Sequence, residues 1–148
     1  TRYIGDWSSD VCSSDLIQAV LEESKKLSTD KQQMDILLLE IDNYWFNYKW
    51  NTAQKIVIYS FKIKDANIEQ VVKRNLYNGR YWQEFIGDYN KAEQIYKRIT
   101  EKLELEERVL KNQNSVNVDI EKMLLKSRFK QAMSLCNQNI IQLFYILR

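Results

Sequence analysis

The chain has no proline and no histidine, and only three glycines and two cysteines among its 148 residues. Without proline, no backbone amide is lost to a helical ladder, and so few glycines leave few places for tight reversal. Leu, Lys, Glu, Gln and Ile all tolerate helix, so the composition predicts long helices joined by polar elbows. The lack of histidine removes the commonest metal ligand and the side chain most easily made a proton shuttle near neutral pH. Cys12 and Cys136 are too few for a disulfide framework or a four-cysteine zinc site. No apolar run approaches the roughly 20 residues that a membrane span needs. The longest lie around Leu37 to Ile41 and Ile140 to Leu147. These absences predict a cytoplasmic chain with no cofactor, no metal and no membrane contact.

What is present is ordinary in amount. Apolar residues make up 45% and charged residues 28%, which is enough to build a core and argues against disorder. Twenty-two basic and 20 acidic side chains leave a net charge of only +2, too little for a broad nucleic-acid footprint. The length suits one domain of usual size.

The order of the residues supports helices. Leu16, Val20 and Leu21 fall at helical spacing, and Thr29 with Gln32 fits a capping box at the start of the next helix. Behind it, Met34, Leu37, Leu38, Ile41, Trp45 and Tyr48 form a stripe that Ile36, Leu39, Tyr44 and Phe46 widen. This predicts a helix ending near Trp50 or Asn51. Gln54 to Lys64 alternates like a strand, yet a lone strand would leave its backbone unpaired, so helix is expected there too. Asp65 can cap a further long helix through Ile68, Val72, Leu76, Trp82 and Ile86. Gly79 inside it implies close packing or a bend. Gly87 can end that helix in the left-handed conformation, and Asp88 can cap the next, which carries Ala92, Ile95, Tyr96, Ile99 and Leu103. After the polar linker Asn112 to Ser115, a further helix is expected to run through Ile120, Leu124, Phe129, Ala132 and Cys136. The sum is an all-α fold, drawn as antiparallel helical hairpins packed in a short right-handed repeat array.

The beginning reads differently. Asp6-Trp7-Ser8-Ser9-Asp10-Val11-Cys12-Ser13-Ser14-Asp15-Leu16 has no helical or strand period. Its codons can be written so that it resembles one frame of a sequencing-library adapter. That resemblance implies that residues 1–16 are a non-native leader and that Trp7 and Cys12 carry no function. It also implies that Tyr3 to Val11 add little to the core. Residues 17–148 are then a helical-repeat domain, expected to be a fragment truncated at both ends.

Few side chains pair in ways that chemistry needs. Glu22–Glu23 and Glu106–Glu107 are adjacent on helices and point to different sides. Asp35 with Asp42, and Glu40 with Tyr44, can line up, but no histidine or glycine-lined loop accompanies them. Cys136, on an apolar face, reads as a buried thiol. Lys73-Arg74 and Lys126-Ser127-Arg128 with Lys130 can touch phosphates, but nearby acids offset them, so no direct nucleic-acid contact is expected. No catalytic residue is assigned and no enzyme activity is expected.

The aromatics are more informative. Tyr44, Trp45, Phe46, Tyr48 and Trp50 fall within seven positions, nearly two helical turns, so one core face cannot take them all. Tyr77, Tyr81, Trp82 and Phe85 follow. Those left exposed would serve as rigid anchors for a partner. Tyr44, Tyr48 and Tyr81, with Asn47 and Asn51, have the groups to hydrogen-bond a bound peptide backbone.

The segment Gly87-Asp88-Tyr89-Asn90-Lys91-Ala92-Glu93-Gln94-Ile95-Tyr96-Lys97-Arg98-Ile99 resembles the second helix of a tetratricopeptide repeat. Gly87 to Tyr89 match the elbow, Ala92 the small contact residue and Tyr96 the aromatic. In the preceding helix Leu76 can take the aromatic position, but Arg80 stands where a small residue belongs. The chain is also similar in its Lys/Ile/Asn/Tyr-rich character to the sensory halves of bacterial peptide-responsive transcription regulators. These resemblances imply a protein- or peptide-binding regulatory module beside a DNA-binding domain. One alternative is a structural or oligomerisation element, with aromatics and the C-terminal helix buried in a homodimer. A small helical enzyme is the remaining one.

Overall fold

The computed structural model describes residues 15–26 and 30–146, with side chains at 15–26 and 32–141. The expectations for Tyr3 to Val11 and for the Thr29 cap fall outside the described residues. All regular structure among the described residues is helical: α1 at residues 15–26, α2 at Asp30–Phe46, α3 at Trp50–Ser60 and α4 at Ile68–Arg80. A π-helix follows at Tyr81–Ile86, then α5 at Tyr89–Asn112 and α6 at Val118–Ile146. The ambiguous stretch from Gln54 is therefore helix as far as Ser60. The chain divides into two compact units, Thr1–Gln70 and Val71–Arg148.

In the first unit the predicted stripe of α2 makes the core. Met34, Leu37, Leu38, Ile41 and Trp45 are buried with Leu21 of α1 and Ala53 and Val57 of α3. Each large aliphatic side chain so placed contributes about 1.5–3 kcal/mol relative to exposure. Leu39 and Phe46 do not widen that core, because they face away from it and are exposed. Glu40 is also buried, and it pairs with Lys25 of α1, the charge partner its burial requires.

α2 stops earlier than its apolar pattern predicts, at Phe46 rather than Trp50. Tyr48 takes a left-handed backbone conformation, with φ of 60°. The Lys49 N–H then donates to the Tyr44 carbonyl at 2.8 Å, and the Tyr48 N–H to that of Trp45 at 3.1 Å. This crossed pair satisfies the carbonyls that a helix end leaves unpaired, a geometry usually built on glycine. The start of α4 also differs from expectation, since Asn67 rather than Asp65 caps it. The Asn67 side chain accepts from the Gln70 N–H at 2.8 Å, and Gln70 accepts from the Asn67 N–H at 3.0 Å. The Gln70 amide nitrogen also donates to Asp35 at 2.6 Å, which ties α4's first turn to α2.

In the second unit α5 and α6 form an antiparallel hairpin. Ala92, Tyr96, Ile99, Thr100 and Leu103 are buried from α5, and Ile120, Leu124, Ser127 and Ser134 from α6. The small serines let the helices approach closely. Thr100 and Ser127 hydroxyls lie 2.8 Å apart, and both bond the Tyr96 carbonyl. This seam corrects the sequence reading of α6. Cys136, expected to be a buried thiol, is exposed, because with Phe129 and Ala132 it lies on the stripe opposite the seam, where all three face water. Serines stand at the contact in place of larger apolar groups because only small side chains fit it, and Ser127 is hydrogen-bonded there.

Two glycines act here. Gly79 is packed flush against Tyr96: a Cβ at that position would lie 2.4 Å from the ring. Gly87 has φ of 78° and ends the π-helix, where the Asp88 N–H donates to the Trp82 carbonyl at 2.8 Å. Asp88 then caps α5 by accepting from the Lys91 N–H at 3.0 Å, as its position predicts.

Candidate functional site

In the first unit, four of the five residues expected to meet a partner gather at the α2–α3 turn. Tyr44 is half-buried in the last turn of α2, Asn47 half-buried in the turn, Tyr48 exposed, and Asn51 exposed in the first turn of α3. Beneath them Trp45, buried, and Trp50, half-buried, have ring centroids 5.8 Å apart. The edge of Tyr48 meets Trp50 at 6.0 Å. Above this base two large rings project into water, with Phe46 83% and Tyr48 80% exposed.

The polar groups of the turn have divided roles. The Asn47 side-chain amide donates to the Asn43 carbonyl at 2.7 Å and to the Asn43 side chain at 3.1 Å, so its nitrogen shapes the turn. Burial, with the charges of Glu40 and Glu22 adding to it, raises the Tyr44 pKa above the ordinary value, so its hydroxyl stays a neutral donor. Phe46, expected in the core from its place beside the α2 stripe, is instead one of the two exposed rings. The signal was there in part, because five aromatics in seven positions could not all be buried. An assumed continuous helix hid which would emerge.

Tyr81 belongs to the second unit. It lies half-buried in the π-helix, with ring centroids 5.5 Å from Trp82 and 5.3 Å from Phe85. Lys91 sits over the Trp82 ring, 3.4 Å from its centroid, a cation–π contact that joins the π-helix to α5. Irregular turns of this kind recur at functional positions.

The acids weighed for chemistry are placed apart from one another in role. Asp35 accepts from Gln70, and Glu40 pairs with Lys25. Among the described residues no group of three or more Cys, Asp or Glu gathers as a metal site would. None of the described helices is long and apolar enough to cross a membrane.

No protein-family model, curated protein or solved structure matches this chain. Its own surfaces are therefore the guide to what it does.

Proposed function

We propose that the chain is a protein- or peptide-binding regulatory module whose partner docks on the α2–α3 turn. One observation carries this reading: Phe46 and Tyr48 stand almost fully in water on a turn whose backbone is held by crossed hydrogen bonds. A bulky residue at positive φ is uncommon and costs about 1–2 kcal/mol. Apart from its edge contact with Trp50 the Tyr48 side chain is exposed, so presentation of the ring is what that cost achieves. Apolar side chains of the partner would pack on Phe46 and Tyr48, while Tyr44 and Asn51 offer hydrogen bonds to its backbone. Tyr81 is not needed for this contact.

The repeat-like reading of the second unit draws support from the same residues that prompted it. Gly87 turns the chain, Asp88 caps α5, Ala92 is buried, and Tyr96 lies against a small residue. That small residue is Gly79 rather than Arg80. A coupled DNA-binding domain, as in the regulators that the chain resembles, completes this proposal.

The test is panning of a random peptide library on the immobilised protein, followed by calorimetry with the enriched peptides. A shared motif with an apolar anchor is expected, and Phe46→Ser with Tyr48→Ser should weaken its binding about 30-fold or more, as loss of a central anchor does. Helical circular dichroism should be unchanged. Enrichment of no motif, or binding indifferent to both substitutions, would reject the reading.

A second reading is favoured by α6. Leu125 is 69%, Phe129 64% and Ile140 64% exposed, and Met133 joins them on the stripe away from α5. Such a stripe suits pairing between copies of the chain. Sedimentation equilibrium of the intact chain and of Phe129→Lys decides this, because self-association through α6 requires the substitution to yield monomers.

A further inference from the structure

Residues 43–64, which run from the end of α2 through the turn and along α3, contain no acidic side chain, although Asp and Glu make up 20 of the 148 residues. The same stretch carries Lys49, Lys55, Lys62 and Lys64, all of them exposed. Among the described residues no acid pairs with any of the four. Elsewhere exposed cations have an acid one helical turn away, as in Lys26–Glu23 at 3.1 Å and Arg80–Glu84 at 2.9 Å. The positive charge of this stretch is therefore unbalanced where it stands.

Apolar groups alternate with those charges. Helical spacing puts Asn51, Lys55, Ile58 and Tyr59 on the outward side of α3, opposite the buried Ala53, Val57 and Ser60. Ile58 is 59% and Tyr59 53% exposed. The Lys62 ammonium stands over the Tyr59 ring, 5.4 Å from its centroid, a contact that directs the charge without neutralising it. Past the end of α3, Gln33 of α2 lines a recess of about 410 Å³ with Tyr59, Lys62, Ile63, Lys64 and Asp65. The 11 residues of α3 span about 16 Å. An extended peptide covers that distance with about five residues.

We infer that the partner docking on the α2–α3 turn is an acidic segment of a protein. It continues along α3 with apolar side chains on Ile58 and Tyr59 and carboxylates on Lys49, Lys55, Lys62 and Lys64. The inference rests on the reading of the turn as a docking site and adds the chemistry of its occupant. Charge complementarity selects that occupant, because its carboxylates supply the acids that residues 43–64 lack. At the recess Lys62 and Lys64 can meet a carboxylate while Gln33 and Asp65 accept backbone N–H groups. A nucleic-acid backbone brings charge but no N–H for Asp65, and a flat membrane surface leaves a recess unfilled. The rings hold the partner, and the lysines decide which partner it is.

The experiment pans a random library of peptides of about eight residues on the immobilised full chain and, in parallel, on a double variant, Lys55→Glu with Lys62→Glu. Peptides enriched on the parent chain are expected to carry acidic residues beside an apolar anchor, and the variant is expected to enrich basic ones. By calorimetry the best acidic peptide should bind the variant about tenfold or more weakly, since two attractions become repulsions. Its affinity for the parent should fall about threefold or more between about 0.05 and 0.5 M salt. Lys122→Glu with Lys126→Glu, exposed on α6, should leave binding unchanged. Hydrogen exchange of the α3 amides checks that each variant is folded. A motif that depends on Phe46 and Tyr48 but has no acidic bias, or equal affinity for the double variant, would overturn the inference and leave the docking site standing. Enrichment of no motif would remove both. A DNA single strand of about 20 nucleotides, or phosphatidylglycerol vesicles, that bind and that the peptide cannot displace would also overturn it.

Discussion

Replacing Gly79 by alanine sets two known effects against each other. In an exposed helix the change would stabilise by about 1 kcal/mol, because glycine gives up more backbone freedom on folding. At this position the new Cβ would stand 2.4 Å from Cε1, 2.7 Å from Cζ and 3.0 Å from Cδ1 of Tyr96. Ordinary carbon contacts begin near about 3.5 Å, so the ring would have to retreat by about 1 Å. It has little room for that. Tyr96 is fully buried, its hydroxyl donates to Gln83 at 2.9 Å, and its carbonyl is held by Thr100 and Ser127. Overpacking of a tight core costs about 1–3 kcal/mol, and a pinned aromatic ring belongs at the upper end. The net expectation is destabilisation by about 1–2 kcal/mol. The assay is urea unfolding together with hydrogen exchange of the α5 amides, so that the readout belongs to the second unit. In a Tyr96→Leu background, the cost of alanine should largely vanish, a coupling of at least about 1 kcal/mol. Gly87→Ala serves as a contrast, because no atom lies within 4 Å of its Cβ and its φ of 78° alone is costly. It should lose about 1 kcal/mol whatever stands at position 96. A Gly79→Ala protein that is more stable than its parent would refute the close approach on which this reasoning depends.

Other substitutions probe separate parts of the molecule. Tyr48→Gly should stabilise the first unit by about 0.5–1 kcal/mol by relieving the left-handed backbone, yet weaken partner binding; thermal melts and peptide titration together check this. Ser127→Leu should destabilise the α5–α6 seam by at least about 1–3 kcal/mol, seen as an earlier urea midpoint, because a fully buried hydroxyl position has no space for four carbons. Stability should fall as pH rises above about 10. Burial, with the Glu84 charge adding to it, raises the Tyr96 pKa, so the hydroxyl ionises in the unfolded chain before it does in the folded one. Lys25 acts in the same direction: burial works to lower its pKa, but hydrogen bonds to Glu40 and Glu22 outweigh that and raise it. Tyr96→Phe should remove one proton's worth of that alkaline slope and cost about 1 kcal/mol at neutral pH, measured by urea unfolding from pH 7 to 11.

Much of the fold was legible one helix at a time. Met34, Leu37, Leu38, Ile41 and Trp45 sit where their spacing put them, and so do Ala92, Tyr96, Ile99 and Leu103. Local caps were legible where one residue decides them, as at Gly87 and Asp88, and not where a rarer choice prevailed, as at Tyr48. The candidate site was legible as an excess of aromatics over core positions. Its shape was not, because whether Phe46 or Trp45 turns outward depends on where α2 ends, and a tyrosine in the left-handed region sets that point.

Helical periodicity, with neither proline nor a surplus of glycine to interrupt it, was sufficient by itself to settle that this chain is built of helices and which stripes of α2 and α5 turn inward. It could not settle which side of α6 meets α5. That side is chosen by fit: Ser127 and Ser134 are small enough for the backbones to approach, and Ser127 finds hydrogen bonds on Thr100 and Tyr96 across the seam. The greasier stripe of Phe129 is left facing water as a result. Hydrophobicity is a property each residue carries along the chain, whereas complementarity exists only between two surfaces, so the tertiary structure had to decide it.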